Sequence, residues 1–279
     1  MRRCTAQLAL AAAVASLMCA GMSHAVGLTQ QPAGHFPRGS GTASGPVASS
    51  ELRTVFGPVA SSEPGTASIV GTVRYEGEAP EPVVFSMIQD ASCIEAHGAE
   101  TIVSNRLVVN DDATLRWAFV YIREALTGSL PVGEPAPVTL DKVGCVYRPH
   151  VLGMQAGARL RIVNSDATLH TVQLVAANNP SFNIALPRPG MDIVRVLANA
   201  EVMIPVRCNV HPWTQAYIGV VPHAFFAVSG EDGRFVIDGI PAGEYVLEAW
   251  HELLGRQTLR VVIAAGEESD VRFTFASAR

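Results

Sequence analysis

The chain has 279 residues, a formal net charge of −5, 48% hydrophobic residues and 16% charged ones. That length and apolar content are enough for more than one buried core. The acidic balance argues against nucleic acid and anionic membrane as partners. Arg2 and Arg3 open the sequence, followed by LALAAAVASLMCA and then SHA at 23–25. A charged start, a short apolar run and a small-residue site read as a secretory signal peptide over 1–25, cleaved near Ala25. The expected location is periplasmic or secreted, and cleavage moves the net charge from −5 to −7 by removing two arginines and no acid. No later segment approaches the ~20 apolar residues of a membrane helix.

Residues 26–67 are rich in Gly, Pro, Ser and Ala and carry GPVASSE twice, at 45–51 and 57–63. Such a segment lacks the apolar surface to fold and reads as a disordered linker. Beyond it the texture changes to short alternating runs: SIVGTVRYEG, RLVVN, LRWAFVYI, ARLRIVNSD, TVQLVA, IVRVLA, VMIPVRC, AYIGVV, GRFVIDGI, GEYVLEAW, TLRVVIAA and VRFTF. Alternation with turn signals between runs predicts strands with one face in a core. The expectation is an all-β chain of two sandwiches, with one short helical turn around 90–99.

Of five cysteines, Cys4 and Cys19 leave with the signal, so Cys93, Cys145 and Cys208 remain. Three cysteines in an oxidising compartment suggest one disulfide and one odd residue. In RCNVHPWTQAY at 207–217, Cys208 stands three residues before His211, and upstream His170 follows a strand and a polar turn. Thiolate and imidazole together suit a soft or borderline metal, and two histidines with one cysteine are the equatorial set of a blue-copper site. A degenerate site, with hydrogen-bonded histidines and a buried thiol, is the alternative.

GCVYRPHVLGMQAGARLRIVNSDATLHTVQL followed by VRCNVHPWTQAYIGVV resembles the cupredoxins, and the short Cys-x-x-His-Pro-aromatic loop is similar to the amicyanin type. The resemblance implies a Greek-key sandwich over 136–222 and one mononuclear copper ion held by His170, Cys208 and His211. The amicyanin-type loop has methionine where this chain has Thr214, so Thr214, Gln215 or His150 would be the axial or additional ligand. Thr171 stands where asparagine is often found, which predicts weaker hydrogen bonding between the two ligand loops. His211, on an exposed loop, would be the exit for the electron, with Trp213 beside it. Cys93 and Cys145 are then expected to form a disulfide that leaves Cys208 free; the alternative is that both are reduced and buried.

The tail GEDGRFVIDGIPAGEYVLEAWHELLG resembles exported bacterial proteins of the methylamine-utilisation or carboxypeptidase regulatory-like kind, which implies a transthyretin-related sandwich with a carbohydrate-binding-like fold. Its missing first strand matches GTVRYEGEAP, so the expected sandwich is split into 68–135 and 223–279 around the cupredoxin insertion. Two consecutive domains are the alternative. His223 and His251 read as packing residues. No hydrolase, metalloprotease, nucleotide or dinucleotide motif is present, so a carrier or binding protein is expected rather than an enzyme. The resemblance implies a periplasmic redox partner such as a cytochrome or dehydrogenase. The alternative from a different class is a non-redox binding or scaffold module, for which a carbohydrate ligand has no support beyond fold analogy.

Overall fold

The structure is a computed structural model that describes residues 66–277. The expected signal peptide, the GPVASSE repeats, His24 and His35 lie outside the described residues. Thr66 and Ala67, placed at the end of the linker by sequence, already belong to the first strand.

The described chain is nearly all β. It begins with β1 (Thr66–Glu76), β2 (Val84–Ser86), the helix α1 (Ala91–His97), β3 (Thr101–Val103) and β4 (Phe119–Ala125). A middle block follows: β5 (Val138–Val143), β6 (Val146–Arg148), β7 (Val151–Gln155), β8 (Arg159–Asn164), β9 (His170–Leu174), β10 (Phe182–Leu186), β11 (Asp192–Val196), β12 (Glu201–Arg207) and β13 (Gln215–Val221). The last block is β14 (Phe226–Val228), β15 (Arg234–Pro241), β16 (Gly243–His251), β17 (Gly255–Ile263) and β18 (Glu268–Ala276).

The middle block forms two facing sheets, ordered β10-β9-β12-β13-β7 and β11-β8-β5-β6. Leu140, Leu160 and Ile162 from one sheet pack against Val172, Val206, Ile218 and Val220 from the other. The first and last blocks share a further pair of sheets, β15-β1-β18 and β14-β4-β16-β17. β1 shows why: its alternating inward residues Ala67, Ile69, Val73 and Tyr75 are buried, and its backbone pairs with β15 on one side and β18 on the other. Strands that lie on either side of the middle block in sequence thus complete one another's sheets. A strand with one apolar face must bury it, and partners distant in sequence serve as well as near ones.

The stretch RLVVN does not form the strand its composition predicts; Val109 makes only an isolated bridge to Leu115. The intervening Asp111-Asp112 turn, closed by Ala113 N–H donating to Asn110 O, brings the chain back before a ladder can extend.

Two features lie beside the loop that joins β12 to β13. β2 and β3 make a small separate sheet, and α1 follows β2 with Asp90 as its N-cap, accepting from Cys93 N–H at 2.9 Å. An Asp at this position satisfies one of the unpaired N–H groups of the first turn. Cys93 of α1 is disulfide-bonded to Cys145, just after β5, across 52 residues. Closing a loop of that length stabilises the fold by about 4 kcal/mol in the chain-entropy model. Met87, Cys93, Ile102, Cys145 and Val146 form a small buried cluster with Phe85, Ile94 and Trp213 against it. α1 therefore docks beside the loop that carries Trp213.

Candidate metal centre

β9 and β12 are antiparallel neighbours, with Val206 opposite Leu174 and Arg207 opposite Gln173. His170, the first residue of β9, and Cys208, the first residue after β12, therefore lie at the same end of the sheet. Arg207 and Gln215 are partners across β12 and β13, so residues 208–214 make the whole connection between them. Cys208 N–H donates to Thr214 O at 3.1 Å and Thr214 N–H to His211 O at 2.9 Å, which folds this short loop back over Cys208.

The three candidate ligands converge. Cys208 Sγ lies 3.9 Å from His170 Nδ1 and 3.7 Å from His211 Nδ1, and the two nitrogens are 2.9 Å apart. A point equidistant from the three atoms in their plane is about 2.1 Å from each, a distance in the range of metal–imidazole and metal–thiolate bonds. All three side chains are buried, His170 and His211 at 0% and 1% exposure. The residues present fit a metal held by two imidazoles and a thiolate.

The far side of each imidazole is occupied by a carboxylate. His170 Nε2–H donates to Asp166 Oδ2 at 2.9 Å, and His211 Nε2–H donates to Asp90 Oδ2 at 2.7 Å. Such pairs hold the tautomer whose Nδ1 lone pair faces inward and fix the ring plane. Asp166 is itself held by Gly144 N–H at 2.7 Å and Cys145 N–H at 2.8 Å. Burial works against the carboxylate of Asp166, but His170 and these two N–H groups outweigh it and lower its pKa. Burial likewise works against the charged form of His170, and the bonds to Asp166 and Cys208 raise its pKa nonetheless.

Cys208 is set up as a thiolate. Burial opposes the charge, but the neighbouring His170 and His211 rings, the ammonium of Lys142 and Thr171 N–H bring its pKa down to about 3. Thr171 N–H reaches Cys208 Sγ at 3.4 Å, and Thr171 Oγ1 accepts from Asn209 N–H at 2.7 Å. The two ligand loops are therefore hydrogen-bonded across Thr171, contrary to the weaker bonding expected there. A threonine hydroxyl accepts a backbone N–H as an asparagine side-chain oxygen would. Lys142 is fully buried, donates to Thr171 O at 2.6 Å and lies 4.4 Å above the Tyr147 ring; burial pushes its pKa down to about 8.

The other candidates stand elsewhere. The Gln215 amide donates to Glu252 Oε2 at 2.9 Å, away from the ligand triangle. His150 bonds Glu252 through Nε2 and Gln215 O through Nδ1, so both its nitrogens are taken. Thr214 is buried, and its hydroxyl donates to Cys145 O, which also accepts from Trp213 Nε1. His211 corrects the expected electron exit: it is not exposed, because Asp90 and α1 cover its outer edge. Trp213 does stand beside it, 5.3 Å between ring centroids, and is half-buried. His223 is a packing residue, with Nε2–H donating to Ile122 O, and His251 is buried with Nε2 unpaired.

Sequence reasoning missed Asp90, Asp166 and Lys142. Asp166 stands four residues before His170, a spacing that local reading can find. Asp90 is 121 residues from His211 and Lys142 is 66 positions from Cys208; neither has a local signal.

The sequence matches no protein-family model, and no curated protein is similar to it. Solved structures similar to about a third of the chain are cupredoxins and proteins that contain copper. A novel purple cupredoxin from Nitrosopumilus maritimus is 20% identical, covering 30% of this chain and 98% of its own, with a TM-score of 0.26. A reduced tryptophan-to-tyrosine mutant of amicyanin is 17% identical over 33% of this chain and 97% of its own, with a TM-score of 0.28. A copper-containing nitrite reductase from Thermus scotoductus is 21% identical, with a TM-score of 0.27; the match covers 35% of this chain and a quarter of that one.

Proposed function

We propose that this protein binds one copper ion through His170, Cys208 and His211 and serves as an exported electron carrier or copper-binding accessory protein. The observation that carries the proposal is the ligand triangle: Nδ1, Nδ1 and Sγ lie around a common point about 2.1 Å from each. Two imidazoles and a thiolate are the donors of a blue-copper centre. Asp90 and Asp166 are both engaged with the outer ring nitrogens, which leaves neither carboxylate as a fourth ligand of the kind a structural zinc site uses. When bound, copper supplies one-electron cycling between Cu(II) and Cu(I).

The surrounding residues have separable tasks. Burial of all three ligands excludes water. Asp166 and Asp90 orient the imidazoles, and Thr171 N–H holds the sulfur. Lys142 places a positive charge beside the thiolate, stabilising a centre that carries more negative charge. With His211 covered by Asp90, Trp213 is the half-buried aromatic next to the centre and the proposed edge for electron exchange with a redox partner such as a cytochrome or dehydrogenase. Export and a periplasmic location are supported by the N-terminal sequence pattern and by the Cys93–Cys145 disulfide, which suits an oxidising compartment.

Metal analysis of purified protein together with a visible spectrum tests the proposal. One copper per chain and an intense thiolate-to-copper band are expected. A colourless protein that takes up no copper under oxidising conditions would leave the sandwich as a binding or scaffold module.

A further inference from the structure

The Cys93–Cys145 disulfide lies between the two carboxylates that hold the candidate ligands. The backbone N–H of Cys93 donates to Asp90 Oδ1 at 2.9 Å, while Asp90 Oδ2 accepts from His211 Nε2. The backbone N–H of Cys145 donates to Asp166 Oδ2 at 2.8 Å, and the same oxygen accepts from His170 Nε2. The sulfurs are close as well: Cys93 Sγ, Cys145 Sγ and a ring nitrogen of His211 all lie within 4.8 Å of one another.

The two arms are not equivalent. Asp166 belongs to the turn between β8 and β9 of the same sandwich as His170, and Asn164 Oδ1 accepts its N–H at 2.9 Å. Its position does not depend on α1. Asp90 comes from the segment that carries β2, α1 and β3, which forms no part of the four sandwich sheets. What holds this segment beside the metal loop is the disulfide, the small apolar cluster around it and a bond from His97 Nδ1 to Gly144 O at 3.1 Å.

We infer that Asp90 is a positioning residue for the metal centre, acting through His211, and that the Cys93–Cys145 disulfide is what keeps it there. This rests on the proposed role of His211 as a ligand. With Asp90 in place, His211 carries its proton on Nε2 and presents Nδ1 to the metal; a carboxylate bonded to the outer ring nitrogen in this way also makes the imidazole a stronger donor. Opening the disulfide by a dithiol reductant, which is itself oxidised to a cyclic disulfide while Cys93 and Cys145 each gain a proton, frees α1 and releases His211 alone. The metal centre is thereby linked to the thiol–disulfide state of its surroundings.

Asp90→Asn separates positioning from helix capping. A carboxylate accepts on both oxygens, whereas an amide accepts on one side only. With its oxygen on Cys93 N–H, asparagine turns its NH2 toward His211, which can no longer hold the Nε2–H form there. The readout is nitrogen-15 NMR of the histidine rings in metal-free full-length protein, following the slowly exchanging Nε2–H signals of His170 and His211. Cobalt(II) titration of the same samples gives metal affinity. Three proteins are compared: the parent, Asp90→Asn, and a disulfide-free Cys93→Ser, Cys145→Ser double variant. In both variants the protected His211 Nε2–H should be lost and that of His170 retained, with cobalt(II) affinity falling about ten- to a hundredfold. The inference is overturned if the disulfide-free protein keeps both signals and full affinity, and equally if it loses both together, since the disulfide would then hold the whole domain rather than Asp90. If no sample binds metal, the assignment of ligands fails, yet the NMR comparison still decides whether the disulfide positions Asp90 over His211.

Discussion

Gly219 on β13 is a place where a single added carbon would press the middle block's sheet against Phe119 of β4. A Cβ there would lie 2.6 Å from Cε1 and Cζ of Phe119 on β4, and 2.8 Å from Met203 Sδ. Carbon contacts are at their best near 3.5–4.0 Å, so the ring would have to withdraw by about 1 Å. Phe119 has nowhere to withdraw: it is fully buried, stacked on Tyr121 at 5.4 Å and against Phe226 at 5.8 Å. Phe226 in turn fills the space over Gly153, whose own Cβ would come within 2.5 Å of it. Overpacking of this kind costs about 1–3 kcal/mol, and the smaller entropy of an unfolded chain with alanine returns about 0.4–1 kcal/mol. Gly219→Ala should therefore destabilise by about 1–2 kcal/mol and lower the melting temperature by about 2–8 °C. The assay is thermal and urea unfolding followed by circular dichroism, with Phe119→Leu as the second member of a double-mutant cycle. Relief of the clash should make the double variant more stable than additivity predicts by more than about 0.5 kcal/mol. A Gly219→Ala protein as stable as the parent, or strictly additive losses, would refute the contact between the sandwiches at this point.

Cys208→Ser should abolish the visible copper band while leaving the circular dichroism of the fold intact; a coloured variant would sink the ligand assignment. Lys142→Met keeps the volume of the buried side chain but removes its charge beside the sulfur. Cu(II) is then favoured over Cu(I), so voltammetry of copper-loaded protein should record a lower reduction potential, and an unchanged or raised value would contradict the electrostatic role. Gln215→Ala should leave the visible spectrum unaltered, because that side chain is engaged with Glu252; a shifted band would show that Gln215 reaches the metal.

Local sequence was sufficient for what depends on neighbours along the chain. Two residues between Cys208 and His211 place both on one short loop, and alternation along stretches such as SIVGTVRYEG determines which face of β1 is buried. The short helical turn expected around 90–99 is there as α1, and the structure adds that Asp90 caps it. The failure at RLVVN has a local cause too, a turn that reverses the chain before a partner strand can form.

Tertiary structure decided the rest, because it depends on which distant segments meet. Asp90 looks like nothing more than a helix cap until α1 is docked, and only then does its second oxygen reach His211, 121 residues away. The same docking buries a histidine that its loop sequence would leave in solvent. Lys142 has no local signal, yet it is fully buried against Tyr147 and close to a thiolate contributed by another sheet. Hydrophobic periodicity records which side of a strand faces inward. It carries no record of which charge, from which distant element, will be found there, and in this protein those charges determine the tautomers, the thiolate and the closure of the centre.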